Sequence, residues 1–455
     1  MAGLTGRERE PRLEITTDGE LRVVSPASRL ERWSWAFYDF ANTIFSMNIA
    51  TLYFAVWIVV ERGASATAYS LATSLSSLSV LLLAPWLGLV SDASRRRKPW
   101  VVSFTLLCFA GTLALWPMAD RLGMGVTLPF LALFALANAA YQLALPFYNA
   151  MMPELVPLER QGRLSGLGTA LGYAGSISGV LLVSLFVEGR LGTGGGRQAA
   201  FAPTAFLFLF FSLPLFLFCH DHLPRPTGGA PRVRYRDAMS KVIEAFRETR
   251  RYPGLRRFLI ASLLYQDALG TAIAFMALYA VSVLGLARGE ETTLFVTLTV
   301  PAIAGSFAAG WLSDRIGPKR TLLLVVGGWV AGLAAVGFSP SLPFFWAAGG
   351  LLGFVFGGIW AVERPLLLSL VPDVEAGRFF GLLVLSARAA AVAGPLVWAL
   401  LVDGLSPAIG RPVAQRAAVL SLALFMVGAL LLLRGIPERR RTDAQPPAPG
   451  ATWTG

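Results

Sequence analysis

The chain of 455 residues is poor in charge: 15% of it is Asp, Glu, Lys or Arg, against 55% hydrophobic residues. A water-soluble domain carries roughly 25% charged residues, so an ordinary water-facing surface cannot be built from this chain. Histidine is almost absent, with only His220 and His222. That excludes an H-E-x-x-H zinc helix, and neither Gly-x-Ser-x-Gly nor a phosphate-cradling Gly-x-x-x-x-Gly-Lys occurs. The sequence therefore offers no catalytic set for an enzyme and no engine for ATP-driven pumping. Two histidines are too few ligands for a metal centre, and no cofactor is expected. Cysteine is equally scarce. Cys108 and Cys219 lie in or beside apolar runs and read as small core residues, not a disulfide framework.

What the chain has in abundance is long apolar runs. About 20 residues at 1.5 Å rise cross a bilayer core, and twelve such spans can be drawn: 34–60, 67–90, 100–119, 127–151, 164–187, 200–219, 257–284, 292–312, 321–338, 343–370, 379–402 and 414–434. Pro85, Pro146, Pro301, Pro365 and Pro395 fall inside spans, where neighbouring helices can re-satisfy freed backbone groups. Glycines 166, 168, 172, 175 and 179 also lie within a span, so they suit close helix packing and not a phosphate loop.

The net charge of +12 does not point to nucleic acid, because the basic residues sit in short loops between spans. Thirty of the 39 basic residues fall on the side that holds the N-terminus, seven fall on the other, and Arg364 and Arg388 lie within spans. The positive-inside rule then places both termini in the cytoplasm and the protein in the inner membrane. Residues 1–33 form a polar cytoplasmic tail without an apolar signal segment, so the first span is expected to serve as the targeting signal. The spans divide six and six, over 34–219 and 257–434, around a Pro-, Gly- and Arg-rich cytoplasmic linker at 220–256. Its stretch Tyr235–Thr249 is amphipathic and could lie along the membrane or be a solvated linker. The tail at 435–455 is expected to be disordered.

The halves repeat each other. Gly88-Leu89-Val90-Ser91-Asp92, followed by Arg95, Arg96, Arg97 and Lys98, matches Gly310-Trp311-Leu312-Ser313-Asp314, followed by Arg315, Lys319 and Arg320, at an offset of 222. Leu155-Val156-Pro157 with Gly162-Arg163 and Gly166 matches Leu370-Val371-Pro372 with Gly377-Arg378 and Gly381, at about 215. Tyr38, Asp39, Asn42 and Thr43 correspond to Tyr265, Asp267, Gly270 and Thr271, at about 228. Duplicated six-helix halves place a substrate path between them near the midplane, a plan that a channel or receptor does not need.

The Gly-x-x-Ser-Asp loop followed by basic residues, once per half, resembles the loop motif of the major facilitator superfamily across the whole twelve-span layout. Trp35-Ala36-Phe37-Tyr38-Asp39-Phe40-Ala41-Asn42 is similar to the first-span signature of its vacuole effluxer-like branch, and Phe147 to Glu154, Arg163 to Gly168 and Phe379 to Leu382 fit it as well. The sequence departs from that branch at Thr43-Ile44 and at Arg388. The resemblance implies an all-α polytopic fold of two pseudo-symmetric six-helix bundles and an exporter of amino-acid-like solutes. It also makes Gly88, Asp92, Arg96, Gly310, Asp314, Arg315 and Lys319 a latch that closes the cytoplasmic side.

An ionisable side chain at the bilayer centre costs at least ~2.5–3.5 kcal/mol on insertion scales, so it usually faces a cavity and has a task. Asp39 and Asn42 share a helix face, with Tyr38 beside them. Asp267, with Tyr265 and Thr271, is the repeat mate. These are candidates for substrate, H+ or Na+ binding, or for helix-packing hydrogen bonds. Glu363, Arg364 and Arg388 can offset one another's charge, or an arginine can grip a carboxylate substrate. Tyr148 and Asn149 can line the path or join two helices. The expected activity is secondary transport by a monomer in contact with membrane lipids. A sugar:cation or drug:proton carrier is the alternative, and a membrane scaffold or receptor is the rival from another class.

Overall fold

We describe the fold from a computed structural model that covers residues 13–15, 21–23, 27–123, 126–191, 195–223, 249–284, 291–372, 375–390 and 393–437. Side chains at 387–393, Arg388 among them, lie outside the described residues, as do most of the Tyr235–Thr249 stretch and the tail beyond 437.

The spans are helical. The first begins as α1 (Arg29–Phe45), capped by the Ser28 hydroxyl, which accepts from Glu31 N at 3.1 Å. It continues in π-helical turns at Ser46–Tyr53 and Trp57–Glu61. The irregularity has a local cause. Thr43, Ser46, Asn48 and Thr51 all donate to carbonyls of their own helix, and Thr51 reaches five residues back to Ser46 O at 2.9 Å. Such bonds compete with the regular ladder. Then come α2 (Ala66–Ser94), α3 (Lys98–Arg121), α4 (Leu128–Leu155), α5 (Leu158–Val187) and α6 (Phe201–Phe218). The second half holds α7 (Leu255–Leu284), α8 (Glu291–Ile316), α9 (Pro318–Gly337) and α10 (Leu342–Leu370). The eleventh span is made of α11 (Ala376–Ala390) and α12 (Ala393–Ile409), and α13 (Arg411–Arg434) is the last.

Among the described residues, nine of these segments are long and apolar enough by themselves to cross a membrane. The N-terminal tail differs from a plain polar segment: Leu13–Ile15 and Leu21–Val23 pair as a small antiparallel ribbon, β1 and β2, with Leu13 opposite Val23.

Within the first half α1 packs on α5 and α6, and α3 packs on α4 and α6. In the second, α7 packs on α13, and α10 on α8 and α9. The halves meet where α5 lies against α8 and α10, and where α11 lies against α2 and α4. Small residues permit this approach. A Cβ at Gly310 of α8 would sit 2.4 Å from the Gly162 carbonyl oxygen of α5, closer than any real contact, so the backbones touch.

Candidate functional site

Asp39 lies on α1, about three turns in from the end that carries the Arg95–Lys98 and Arg315–Arg320 clusters, called here the basic end. Its carboxylate is 7% exposed and takes a bidentate pair from the other half of the molecule. Arg364 Nη1 donates to Oδ2 at 2.8 Å and Nη2 to Oδ1 at 3.2 Å. Fork-to-carboxylate geometry is the strongest arrangement open to these groups. Two rings flank the pair. The Arg364 guanidinium is 5.8 Å from the Trp35 ring and 5.6 Å from the Tyr148 ring. Those rings stack on each other at 4.5 Å, and Trp35 Nε1 donates to Tyr148 O at 3.0 Å. Gly168 of α5 leaves the room: a Cβ there would stand 2.6 Å from Asp39 Oδ2. Four helices, α1, α4, α5 and α10, thus converge on one charge pair.

Other candidates take different places. Tyr38 points away from Asp39, and its hydroxyl is 2.7 Å from Thr105 Oγ1 inside the first half. Asn42 is buried, and its Oδ1 has no hydrogen-bond partner among the described residues; the same holds for Asn149 Oδ1. Glu363 and Arg364 offset each other's charge at a distance but form no direct ion pair. Successive helical residues point in different directions, so Glu363 turns to α7, where it accepts from Tyr265 Oη at 2.5 Å and Gln266 Nε2 at 3.1 Å. Asp267 is 1% exposed, Thr271 is beside it, and Gly394 of α12 closes over both.

At the basic end the two repeated motifs turn out to be the two sides of one contact. Asp92, at the end of α2, accepts from Gly377 N at 3.1 Å and Arg378 N at 2.8 Å, at the start of α11. Asp314, near the end of α8, accepts from Gly162 N at 2.8 Å and Arg163 N at 3.1 Å, in the first turns of α5. Each carboxylate of one half therefore accepts from two backbone N–H groups in the first turns of a helix of the other, where the dipole favours an anion. Gly88 permits the first contact, since a Cβ on it would lie 2.8 Å from Gly377 O. Arg315 lies over the Trp311 ring at 3.9 Å, and Lys319 sits in the first turn of α9.

Arg96, named as a latch residue from the sequence, is exposed; its neighbour Arg97 is the buried one. Arg97 Nη1 donates to Glu154 Oε1 at 2.9 Å, and Nη2 lies 3.5 Å from Asp92 Oδ1. The link runs on: Glu154 Oε2 accepts from His222 N at 2.7 Å, and His222 Nε2 is 2.6 Å from Glu31 Oε1. Sequence reasoning also passed over Trp35 and Gln266. Trp35 stands four residues before Asp39, so the helical spacing that joined Asp39 to Asn42 would have found it too.

A profile of the vacuole effluxer Atg22-like family matches residues 156–445. The chain belongs to this family. Among curated relatives, the MFS-type transporter YxiO of Bacillus subtilis is 26% identical over 427 residues, spanning 90% of this chain and 95% of its own. Among solved structures, the human organic anion transporter MFSD10 superposes with a TM-score of 0.69 at 15% identity, over 90% of this chain and all of its own. The E. coli fucose:proton symporter FucP gives 0.65 at 16%, over 89% and 97%. These likenesses show the major facilitator fold. This Atg22-like protein is accordingly a multi-pass membrane protein and a secondary transporter, not an enzyme.

Proposed function

We propose that the protein exports a small zwitterionic, amino-acid-like solute across the inner membrane by alternating access, driven by a coupled cation. The observation that carries this reading is the Asp39–Arg364 pair, because its two charges belong to different halves and lie between aromatic faces. A buried pair gains little stability over apolar packing, so its presence suggests use. A solute with both an ammonium and a carboxylate can enter the pair without leaving either ion alone. The Arg364 fork suits the carboxylate. Asp39 and the faces of Trp35 and Tyr148 suit the ammonium. A neutral sugar would hydrogen-bond both groups but bring no counter-charge to either ion.

The basic end faces the cytoplasm in this reading, by the excess of arginine there. The caps at Asp92 and Asp314 hold that side closed, and both caps and the Asp39–Arg364 pair must part for it to open. Export agrees with the effluxer description of the family.

The test is binding to purified protein, read by tryptophan fluorescence, with an amino-acid panel, the matching amines that lack the carboxylate, the matching acids that lack the amine, and hexoses. Saturable binding of amino acids but not of either half-molecule is expected. Tight binding of a hexose or of an uncharged drug, with no amino acid bound, would overturn the reading.

A further inference from the structure

We propose that Asp267 is the group that carries the coupling ion, and that this ion is a proton, held as a neutral carboxyl clamped between α7 and α12. This deepens the transport reading above and rests on it for its role in coupling.

The repeat exposes a difference between the halves. Each half has an acid in its first helix lying over a glycine of its fifth span: Asp39 over Gly168, and Asp267 over Gly394, where a Cβ would lie 2.9 Å from Asp267 Oδ1 and 2.2 Å from Thr271 Oγ1. Asp39 has a cation from the opposite half. Applying the offset of 215 that aligns Leu155 with Leu370, the counterpart of Arg364 on α4 is Asn149. The position that supplies a positive charge to Asp39 thus supplies a neutral amide on the other side.

The surroundings agree. Asp267 is 1% exposed, and the Gly394 backbone N–H is the one donor that faces its carboxyl among the described residues; no side chain there hydrogen-bonds Oδ1, Oδ2 or Thr271 Oγ1. Among the described side chains no cation pairs with Asp267. On α10, Glu363 is held by Tyr265 and Gln266, and Arg364 by Asp39. On α11, the Arg378 guanidinium lies 3.6 Å from Glu375 Oε2, and the Arg388 side chain lies outside the described residues. On α12, Asp403 is exposed; on α13, Arg416 donates to Gly337 O, and Arg411 and Arg434 occupy the ends. An ionised carboxylate left alone in such a site is far costlier than a neutral one, and the group neutralises instead.

Release follows from the clamp. The span that brings Gly394 over Asp267 begins at Gly377-Arg378, which Asp92 holds from the other half. When the cap at Asp92 opens, the eleventh span moves and uncovers Asp267. The carboxyl then gives its proton to water on the basic side and becomes a carboxylate. Asp39 stays with the solute.

Infrared spectroscopy of purified protein at neutral pH tests this without a solute. The wild type is expected to show the carbonyl band of a protonated, buried carboxyl that Asp267→Asn lacks, that Asp39→Asn retains and that Asp267→Glu shifts. Asparagine has the shape of the neutral carboxyl, so the variant should fold, and the Glu variant decides the matter if it does not. Wild-type and Asp267→Asn spectra that coincide in that band would overturn the proposal. In proteoliposomes, Asp267→Asn should lose the pH-gradient-driven part of solute accumulation, and full accumulation would overturn it too. If wild-type vesicles move no amino acid at all, the solute assignment fails while the infrared result still decides Asp267.

Discussion

Arg364 of α10 holds Asp39 of α1 with both of its terminal nitrogens, at 2.8 and 3.2 Å, and this is an ion pair between the two halves of the transporter. Residues 325 apart in sequence meet because each half turns one face of a central helix to the other. The pair ties together the halves that alternating access must move.

Neutralising one partner alone should be harmful. Asp39→Asn leaves the buried Arg364 charge uncompensated, which costs about 3–5 kcal/mol for a buried pair. Its melting temperature should fall clearly and its transport should stop. The double variant Asp39→Asn/Arg364→Gln should recover most of the melting temperature and none of the transport. Thermal unfolding beside solute exchange in proteoliposomes separates the two effects.

The caps at the basic end predict a population shift. Asp92→Asn and Asp314→Asn each weaken two N–H bonds at a helix start, and loss of a cap costs about 0.5–2 kcal/mol. The double variant should open the basic side more often. Spin labels on either side of that face would report a longer distance in the double variant and an intermediate one in each single variant.

Arg97 should be the most sensitive of the clustered cations. Its side chain is fully buried between Asp92 and Glu154, whereas Arg96 is exposed. Arg97→Gln leaves buried carboxylates without their cation and should destabilise by about 3–5 kcal/mol. Arg96→Gln should stay within about 0.5 kcal/mol, as surface changes do. Melting curves of the two variants side by side check this.

Two glycine substitutions should differ in sign. A Cβ at Gly168 meets Asp39 Oδ2 at 2.6 Å, whereas nothing lies within 4 Å of one at Gly327. Gly168→Ala should destabilise by about 1–3 kcal/mol, as overpacking does, and should slow exchange. Gly327→Ala on α9 should be neutral or stabilising by up to about 1 kcal/mol through helix propensity. Both are read from melting temperature and exchange rate.

Much of the fold was legible because bilayer thickness fixes the length of a span, so that apolar runs mark the helices. Asp39 and Arg364 were legible one at a time, as charges that a membrane rarely tolerates. Their pairing was not, since helix spacing governs neighbours on one helix and says nothing about which helices meet. For the same reason the sequence could show that Glu363 and Arg364 offset each other's charge, but not that their hydrogen bonds go to different helices, Glu363 to α7 and Arg364 to α1. The caps show a related gap: Asp92 and Gly377-Arg378 each stood out in a repeat, but no pattern within one half reveals that the motifs bind across halves. Arg97 could not be told from Arg96 in a run of four basic residues. The choice depends on the chain turning at Arg95, which takes a left-handed conformation with φ 50° after α2 and leaves Arg97 facing inward.

The most direct test of the account is exchange of labelled amino acids in proteoliposomes, measured for wild type, Arg364→Lys and Asp39→Glu with no gradient imposed. The account predicts that the wild type exchanges at least one zwitterionic amino acid, and that Arg364→Lys, which keeps the charge but loses the fork, exchanges it much more slowly. Asp39→Glu, with a longer arm against Gly168, should be slow as well. Wild-type exchange of a hexose instead of any amino acid, or an Arg364→Lys variant as fast as wild type, would contradict a solute held between Asp39 and Arg364.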